Sequence, residues 1–411
     1  MKYGLIGEHL GHSFSKEIHE SISDYEYMIK EIARNDLDEF MKAKSFKGIN
    51  VTIPYKETVI PYLDYIDPSA KEIKAVNTIV NKNGKLYGYN TDFLGLRDLI
   101  LKSKIKVKDQ KVLILGNGGT SKTAQAVFKH LEAASIVVVS LEPTGSEVSY
   151  HDAVTIHNDA NIILNATPVG MYPNNQDLII DINNFNNLKG VFDVIYNPLQ
   201  TKLLQTAKAK GIKAHGGLYM LVAQAVYAAC IFKGKNIEQT IINEVYTKLK
   251  RQKRNIVLIG MPSCGKSTIG KQLAKKMNRQ FVDIDKEIEK EIGTSIKTYI
   301  DVCGEDAFRN LETEMTYKFS KQNNLVISTG GGVIKRQINI DNLKQNSKIV
   351  FIDRSLDLLK PTESRPLSND LEKLRKLYSE RFDIYMRSAD LVIKNNEEFE
   401  ECVHKIYHEV K

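Results

Sequence analysis

The chain has 411 residues, of which 42% are hydrophobic and 26% are charged. This predicts two or three domains with hydrophobic cores and excludes a mostly disordered chain. Lys and Arg number 58 against 50 Asp and Glu, and the resulting net charge of +8 suits anionic small molecules as well as nucleic acid. The sequence contains no recognisable nucleic-acid-binding module, no apolar run of membrane-spanning length, no secretion signal and no CxxC pair among its four cysteines. We therefore expect a soluble cytoplasmic protein with reduced thiols and with neither nucleic acid nor membrane as a partner. The sequence specifies no oligomeric state.

Short β-branched segments alternate with amphipathic helical segments along most of the chain. This alternation is typical of α/β domains built on parallel sheets. Within the first hundred residues, Asn83-Gly84 stands between two alternating segments and predicts a type I′ hairpin, and hence one antiparallel pair of strands. Further strands are predicted at 111–115, 135–140, 161–165, 190–195, 255–260, 325–328 and 348–353.

Domain boundaries are expected near residue 100 and at about 250–254. The basic segment 248–255 has no apolar spacing, and a new strand follows it. Such a segment is more typical of an exposed helix end joining two domains than of a nucleic-acid-binding patch. We predict an α/β domain over 1–100, a dinucleotide-binding domain over 101–250 whose last helices return to the first domain, and a third domain over 254–411.

Polar clusters interrupt the apolar pattern of the first hundred residues. Hydroxyl groups bind a carboxylate, amides bracket hydroxyl groups, and a lysine beside an aspartate forms an acid–base pair. This combination suits a polyhydroxylated acid as the ligand. An ordinary ion pair is the alternative for the lysine and the aspartate, but both lie at the ends of predicted elements, where sites collect. The side chains concerned are Ser13, Ser15, Thr52, Lys56, Asn77 and Asp92.

A glycine-rich loop follows the strand at 111–115 and leads into a helical pattern. It is a variant of the dinucleotide fingerprint, in which glycines permit a tight turn and the close approach of a pyrophosphate to a helix N-terminus. We expect a nicotinamide or flavin dinucleotide here. The next strand ends in Leu141 and Glu142, and an acid at this position favours the free ribose 2′-hydroxyl of NAD. The loop residues are Gly116, Asn117, Gly118, Gly119 and Thr120.

The polar clusters, the glycine loop and three later motifs, which begin at Asn165, Asp193 and Gly216, together resemble shikimate dehydrogenase over nearly all of residues 1–235. The resemblance implies a Rossmann-like domain, NADP(H) as cofactor, and Lys56 and Asp92 as the catalytic pair. Leu141 occupies the position where the family usually has an arginine for the 2′-phosphate, so NAD(H) stays open, with Lys122 as another candidate for that phosphate. The implied substrate ligands are Ser13, Ser15, Thr52, Asn77, Tyr196 and Gln224. The implied cofactor contacts beyond the glycine loop are Asn165, Thr167 and Gly217. At helical spacing, Leu218 and Met220 are expected in the core.

A phosphate-binding loop follows the strand at 255–260. Its sequence, GMPSCGKST, fits G-x-x-x-x-G-K-[ST] between a strand and a helical pattern. Backbone amides of such a loop wrap the phosphates, Lys266 reaches the β and γ oxygens, and the hydroxyl of Ser267 ligates Mg²⁺. The loop predicts a nucleoside triphosphate site. The residues expected at the nucleotide are Gly260, Ser263, Gly265, Lys266, Ser267 and Thr268.

Four further clusters follow this loop. Taken singly, they also fit helix caps, a turn or surface arginines. Taken in this order, they resemble shikimate kinase over residues 255–395, which implies a P-loop fold with ATP, Asp283 in the magnesium shell and Arg365 closing over the phosphates. The clusters are Asp283 with Asp285, Arg309 with Glu312, Gly330 to Gly332, and Arg365 with Arg381. The shikimate contacts implied are Asp285, Arg309, Gly331, Gly332 and Arg381, with Lys266 and Asp285 acting in catalysis.

The two resemblances together imply a bifunctional enzyme of α/β class. A substrate domain and a Rossmann-like domain reduce 3-dehydroshikimate to shikimate, and a P-loop kinase domain converts shikimate to shikimate 3-phosphate. The alternatives are a quinate-using dehydrogenase, or a non-catalytic dehydrogenase-like module, fused to an active kinase. The complete set of polar residues in both halves favours two active sites.

Overall fold

A computed structural model of the chain describes residues 1–10, 14–236, 239–359 and 371–411, with Gln239 and Leu371 described for the backbone alone. The chain forms two compact units, Met1–Leu249 and Lys250–Lys411, called here the N-terminal and the C-terminal unit. Within the described ranges, no helix combines the length and the hydrophobicity needed to cross a membrane.

The first half of the N-terminal unit is built on a mixed six-stranded sheet. Its elements are β1 (Tyr3–Gly7), α1 (Ser15–Ile22), β2 (Tyr27–Glu31), α2 (Leu37–Ala43), β3 (Gly48–Val51), α3 (Tyr55–Thr58), β4 (Tyr65–Ile66), α4 (Pro68–Ile73), β5 (Thr78–Lys82), β6 (Lys85–Tyr89) and α5 (Thr91–Ser103). The strand order is β2-β1-β3-β5-β6-β4, and β5 is antiparallel to both β3 and β6. Asn83 and Gly84 have φ of 54° and 83°, which confirms the predicted hairpin turn.

The second half of this unit is a parallel five-stranded sheet with helices on its faces. Its elements are β7 (Lys111–Leu115), α6 (Gly119–His130), β8 (Ser135–Val139), α7 (Tyr150–Thr155), β9 (Ile162–Asn165), β10 (Gly190–Asp193), α8 (Lys202–Ala209), β11 (Lys213–Gly216), α9 (Leu218–Lys233) and α10 (Gln239–Lys253). The order β11-β10-β9-β7-β8 reverses direction beside β7. Open α/β sheets bind ligands at such a reversal, at the carboxyl ends of their strands.

The register of this sheet brings several strand ends to one edge. Leu115 lies opposite Asn165, and Asn165 lies opposite Asp193. The segments that follow β7, β9 and β10 therefore meet above this edge. Helix α9 then returns to the first half and packs against α1 and α5, with Leu218 and Met220 buried in the core as predicted.

The C-terminal unit is a parallel five-stranded sheet of order β13-β14-β12-β15-β16. Strand β12 is buried along its whole length at the centre of this sheet, as its continuous apolar sequence predicts. The phosphate-binding loop connects β12 to α11. The elements are β12 (Asn255–Ile259), α11 (Lys266–Met277), β13 (Gln280–Asp283), α12 (Ile284–Ile292), α13 (Ile296–Cys303), α14 (Glu305–Ser320), β14 (Leu325–Ser328), α15 (Gln337–Asn346), β15 (Ser347–Asp353), α16 (Leu371–Ser388), β16 (Leu391–Lys394) and α17 (Phe399–Val410).

Two candidate active sites

A lysine–aspartate pair connects α3 and α5 in the first half of the N-terminal unit. The Nζ of Lys56 on α3 donates to Oδ2 of Asp92 at 2.7 Å, with the two side chains 19% and 15% exposed. Asp92 is fixed in the first turn of α5, because the side chain of Asn90 caps that helix by accepting from the backbone N of Phe93. The pair is half-buried and within proton-transfer distance.

Three further polar side chains form a network beside this pair. Asn77 Oδ1 accepts from the backbone N of Thr91 at 2.7 Å, and its Nδ2 donates to Thr91 Oγ1 at 3.1 Å. Thr91 Oγ1 also donates to Oε1 of Gln224 on α9 at 3.5 Å. The network holds the residue that precedes Asp92, so Asn77 and Gln224 lie next to the catalytic candidates. Sequence reasoning did not select Thr91, although it stands between two polar residues of the same cluster.

The remaining predicted substrate ligands lie on other elements. Ser15 is buried at the start of α1, and the ring of the preceding Phe14 lies 5.3 Å from the ring of Tyr196. Burial raises the pKa of Tyr196 above its usual value, so its phenol stays protonated and able to donate. Thr52 follows β3 and is half-buried. Ser13 lies outside the described residues.

The glycine loop forms an open turn at the N-terminus of α6. Gly116 has φ of +97°, and a Cβ added to it would lie 2.7 Å from Thr167 Cγ2. A Cβ on Gly118 or Gly119 would meet nothing within 4 Å. The space above these two glycines, beside the amides of a helix N-terminus, fits a pyrophosphate. Asn117, Thr120 and Thr167 line the same loop region.

The end of β8 carries no cation for a 2′-phosphate. Leu141 is 88% exposed, and Glu142 beside it is also exposed. Lys122, considered for that phosphate on sequence grounds, forms an exposed ion pair with Glu57 at 2.6 Å. Its role at a 2′-phosphate stays a prediction.

Gly217 stands at the N-terminus of α9. Its backbone N donates to the carbonyl of Ile195 at 2.9 Å, and a Cβ at this position would lie 2.0 Å from the carbonyl oxygen of Val194. Only glycine permits this approach. Gly217 therefore joins the start of α9 to the turn that carries Tyr196.

In the C-terminal unit, the phosphate-binding loop wraps around its own lysine. Gly260, Ser263 and Gly265 have positive φ, of 149°, 63° and 95°. Lys266 is buried, and its Nζ donates to the carbonyls of Gly260 and Met261 at 2.9 Å each. These backbone conformations turn the loop over the N-terminus of α11, which suits phosphate binding. Thr268 is exposed in the first turn of α11.

A serine and an aspartate form a pair of oxygen donors next to this loop. Ser267 Oγ donates to Asp283 Oδ2 at 2.6 Å, and Asp283 is buried at the end of β13. A hydroxyl and one carboxylate fit Mg²⁺, which usually completes its coordination with phosphate oxygens and water. Among the described residues there is no cluster of three or more His, Cys, Asp or Glu side chains suited to a metal.

A charged cluster lies on α14, next to the glycine segment that follows β14. Arg309 Nη1 donates to Glu312 at 2.7 Å and Nη2 donates to Glu305 at 3.0 Å. Burial opposes the charged form of Arg309, but these two carboxylates raise its pKa on balance. Burial raises the pKa of Glu312 despite the arginine. The two carboxylates therefore fix the orientation of the Arg309 guanidinium, a group suited to binding an anion.

Glycines bring this cluster close to the backbone. A Cβ on Gly330 would lie 2.5 Å from Asp285 Oδ1, and one on Gly332 would lie 2.4 Å from Arg309 Nη1. The predicted acceptor residues Asp285, Arg309 and Gly332 are thus brought together.

Arg381 contacts the same glycine segment from α16. Its Nη1 donates to the carbonyl of Gly331 at 2.9 Å, and Tyr385 donates its hydroxyl to the same oxygen at 2.5 Å. Tyr385 was missed by sequence reasoning, because on a helix it has the spacing of a core residue. Arg365 lies outside the described residues.

Comparison with known proteins assigns both units. The family model described as shikimate dehydrogenase substrate binding domain matches residues 5–79, and the model described as shikimate kinase matches residues 262–411. A shikimate dehydrogenase (NADP(+)) of Clostridium perfringens is 38% identical over 269 residues, which cover 60% of this chain and 98% of the relative. The chain belongs to the shikimate dehydrogenase family. Its C-terminal unit is a shikimate kinase domain, so the chain is an enzyme with oxidoreductase and phosphotransferase parts in the shikimate pathway.

Solved structures agree with this assignment. Shikimate dehydrogenase 1 from Peptoclostridium difficile is 37% identical with a TM-score of 0.56, and the match covers 61% of this chain and 98% of that one. A chorismate mutase/shikimate 5-dehydrogenase fusion protein from Clostridium acetobutylicum is 33% identical with a TM-score of 0.58, covering 60% of this chain and 96% of that protein. The matched share corresponds to the N-terminal unit, and it carries the Rossmann-like fold predicted from the sequence.

Proposed function

We propose that the N-terminal unit reduces 3-dehydroshikimate to shikimate with Lys56 and Asp92 as its catalytic pair. The observation that carries this proposal is the half-buried contact of 2.7 Å between Nζ and Oδ2. A reduced nicotinamide supplies a hydride to the C3 carbonyl when it is bound. Lys56 donates a proton to the carbonyl oxygen, Asp92 holds the ammonium in place, and the carbonyl thereby becomes the C3 hydroxyl.

Residues around this pair bind the substrate in the proposal. Ser13, Ser15 and Thr52 take the carboxylate, and Asn77, Tyr196 and Gln224 bind the ring hydroxyls. The dinucleotide lies on the Gly116 to Thr120 loop, with Asn165, Thr167 and Gly217 beside it. We assign NADPH because the relatives' names specify NADP(+). The exposed Leu141 at the end of β8 lowers the discrimination against NADH.

The C-terminal unit then phosphorylates the C3 hydroxyl of shikimate with ATP, which supplies the γ-phosphoryl group. Asp285 orients the hydroxyl, while Arg309, Arg381 and the amides of Gly331 and Gly332 bind the acid. Lys266, Arg365 and the loop from Gly260 to Thr268 stabilise the charge on the phosphates. Ser267 and Asp283 would hold Mg²⁺.

The experiment supplies shikimate, quinate or 3-dehydroshikimate to the purified full chain, with each nicotinamide cofactor and with ATP and Mg²⁺. Reduction of 3-dehydroshikimate and phosphorylation of shikimate support the proposal. Faster oxidation of quinate than of shikimate would support the quinate-using alternative. ADP release from shikimate without any dinucleotide turnover would make the N-terminal unit a binding module.

A further inference from the structure

A buried carboxylate lies at the carboxyl end of β10, outside the residues assigned above. Asp193 is fully buried and accepts three hydrogen bonds. Thr201 Oγ1 donates to Oδ2 at 2.6 Å, while the backbone N of Ile195 and Nδ2 of Asn165 donate to Oδ1 at 3.0 and 3.2 Å. All three donors are neutral, so the charge is solvated by dipoles alone. Burying such a carboxylate costs free energy, so we expect the segments that it hydrogen-bonds to have a role.

One of these bonds orients the amide of Asn165. Its Nδ2 donates both to Asp193 and to the carbonyl of Val169. Its Oδ1 is thereby turned toward Thr167 and accepts from that residue's backbone N at 3.0 Å and from its Oγ1 at 2.7 Å. Thr167 in turn packs where a side chain on Gly116 would stand. Asp193 is thus linked, through one amide, to the first glycine of the dinucleotide loop.

A second bond shapes the turn after β10. The backbone N of Ile195 is held by Asp193, and the carbonyl of Ile195 accepts from the backbone N of Gly217 at 2.9 Å. Tyr196 is the next residue in the chain. The same carboxylate therefore fixes both the loop beneath the dinucleotide and the turn that carries a proposed substrate ligand.

We propose that Asp193 is a positioning residue of the reductase site, and that its ionised carboxylate holds the loop 165–170 in the arrangement that binds the dinucleotide. Protonation replaces the Oδ2 acceptor with a donor and weakens both bonds at Oδ1. Dinucleotide affinity then falls. This inference rests on the proposed function of the N-terminal unit.

The surroundings of Asp193 indicate where this change occurs. Burial raises its pKa to about 6, opposed by the hydrogen bonds from Thr201, Ile195 and Asn165. Titratable groups on the adjoining segments are Tyr196 after β10, Lys202 and Lys208 on α8, and Lys213 and His215 on β11. A transition near pH 6 falls within a range in which the protein can be studied.

The test measures NADPH affinity of the full chain by nucleotide fluorescence between pH 7.5 and 5.5. In the wild-type protein, we expect the dissociation constant to rise about fivefold on acidification. Asp193→Asn keeps the shape and mimics the protonated acid, since its Oδ1 still accepts and its Nδ2 donates to Thr201. At every pH, the dissociation constant of this variant for NADPH should equal that of the wild-type protein with Asp193 protonated. Asp177→Asn, an exposed acid in the same unit, should behave as wild type.

A second variant shifts the transition instead of removing it. Thr201→Val deletes the hydroxyl that favours the ionised carboxylate, so the midpoint of the affinity change should move to higher pH. A parallel titration with NADH removes the contribution of the 2′-phosphate, whose own second ionisation falls near pH 6.

The outcomes separate the inference from the function on which it rests. An Asp193→Asn protein with the wild-type pH dependence, or a Thr201→Val protein with an unmoved midpoint, would overturn the positioning role. Absence of dinucleotide binding by the wild-type chain at pH 7.5 would instead overturn the proposed reductase. Shikimate kinase activity of the same chains reports the protein concentration, and urea unfolding reports whether the N-terminal unit of each variant is folded.

Discussion

At the scale of single residues, the proposed chemistry of the N-terminal unit depends on one amine. Lys56→Ala should lower the turnover of 3-dehydroshikimate by about 10²–10⁴-fold, because the proton donor is lost. Phosphorylation of shikimate by the same chain should be unchanged. Both rates are measured on one preparation, with the exposed Lys71→Ala as the matched control. Wild-type reduction by the Lys56→Ala protein would remove the lysine from the mechanism.

The end of β8 is expected to set the choice between NADPH and NADH. Leu141→Arg should raise the ratio of kcat/KM for NADPH over NADH about tenfold, since the new guanidinium can pair with the 2′-phosphate. Ile156→Arg adds the same charge at another exposed apolar position of the unit and should leave the ratio unchanged. If Leu141→Arg leaves this ratio unchanged, the 2′-phosphate of NADPH does not bind at the end of β8.

A buried histidine should make the N-terminal unit sensitive to acid. The ring of His19 stacks on Tyr27 at 4.0 Å, and burial lowers its pKa from 6.5 to about 3 despite a hydrogen bond with Asn50. Below pH 6.5, His19 therefore binds a proton in the unfolded chain but stays neutral in the folded unit. The contribution of His19 to the free energy of unfolding is fully present above pH 6.5 and is lost as the pH falls toward 3, by about 2 kcal/mol between pH 7.5 and 5.

Asp193 changes the free energy of unfolding with pH in the opposite direction to His19, so variants are needed to separate the contributions of the two residues. Its folded pKa of about 6 lies above the usual 3.8, and its contribution is largest below pH 3.8 and is lost as the pH rises through 6. In His19→Gln, the loss of stability between pH 7.5 and 5 should be about 2 kcal/mol smaller than in wild type. Urea unfolding monitored by reductase activity measures it, with exposed His151→Gln as control. An identical loss in both variants would contradict the assignment.

At the scale of elements, the glycine segment after β14 positions the proposed acceptor site. Gly332→Ala places a methyl group 2.4 Å from Arg309 Nη1, so the guanidinium must move away from its present position. We expect the KM of the kinase for shikimate to rise at least about tenfold, with the KM for ATP and the reductase activity nearly unchanged. Gly293→Ala, whose Cβ meets open space, is a stringent control, because Gly293 has φ of +69° and its substitution adds backbone strain that is absent at Gly332, where φ is −100°. Equal KM values in the two variants would contradict a role for Arg309 in binding the acceptor.

Most elements could be predicted because their signals are local. The strands at 111–115 and 325–328 were placed correctly from continuous β-branched runs, and the hairpin from Asn83-Gly84. The strand predicted at 190–195 ends earlier, at Asp193, because the Asp193 carboxylate binds the backbone N of Ile195 and turns the chain. That contact depends on burial, which hydrophobic periodicity alone does not reveal.

Contacts between residues far apart in the chain could not be predicted from the sequence. The motifs located Lys56, Asp92 and Arg309, since each stands in a pattern tied to its chemistry. The pairing of Lys122 with Glu57 joins residues 65 positions apart and depends on how the two halves of the unit fold together. Tyr385 likewise reaches the carbonyl of Gly331 from a helix whose spacing indicates only a core face.

In the molecule as a whole, the two sets of site residues belong to two compact units. The oxygen formed by reduction at C3 is the one that the kinase phosphorylates in the proposed scheme. Each unit therefore serves as an internal control for variants in the other. A variant that lowers only one activity reports on its own site.

Both units can be tested together in one reaction. The purified chain is given 3-dehydroshikimate, NADPH, ATP and Mg²⁺, and the loss of NADPH absorbance is followed together with the release of ADP. We expect oxidation of NADPH followed by release of ADP in equal amount, with no ADP released when NADPH is left out. ADP release only after addition of shikimate itself, without oxidation of NADPH or NADH, would show that one chain does not catalyse both steps.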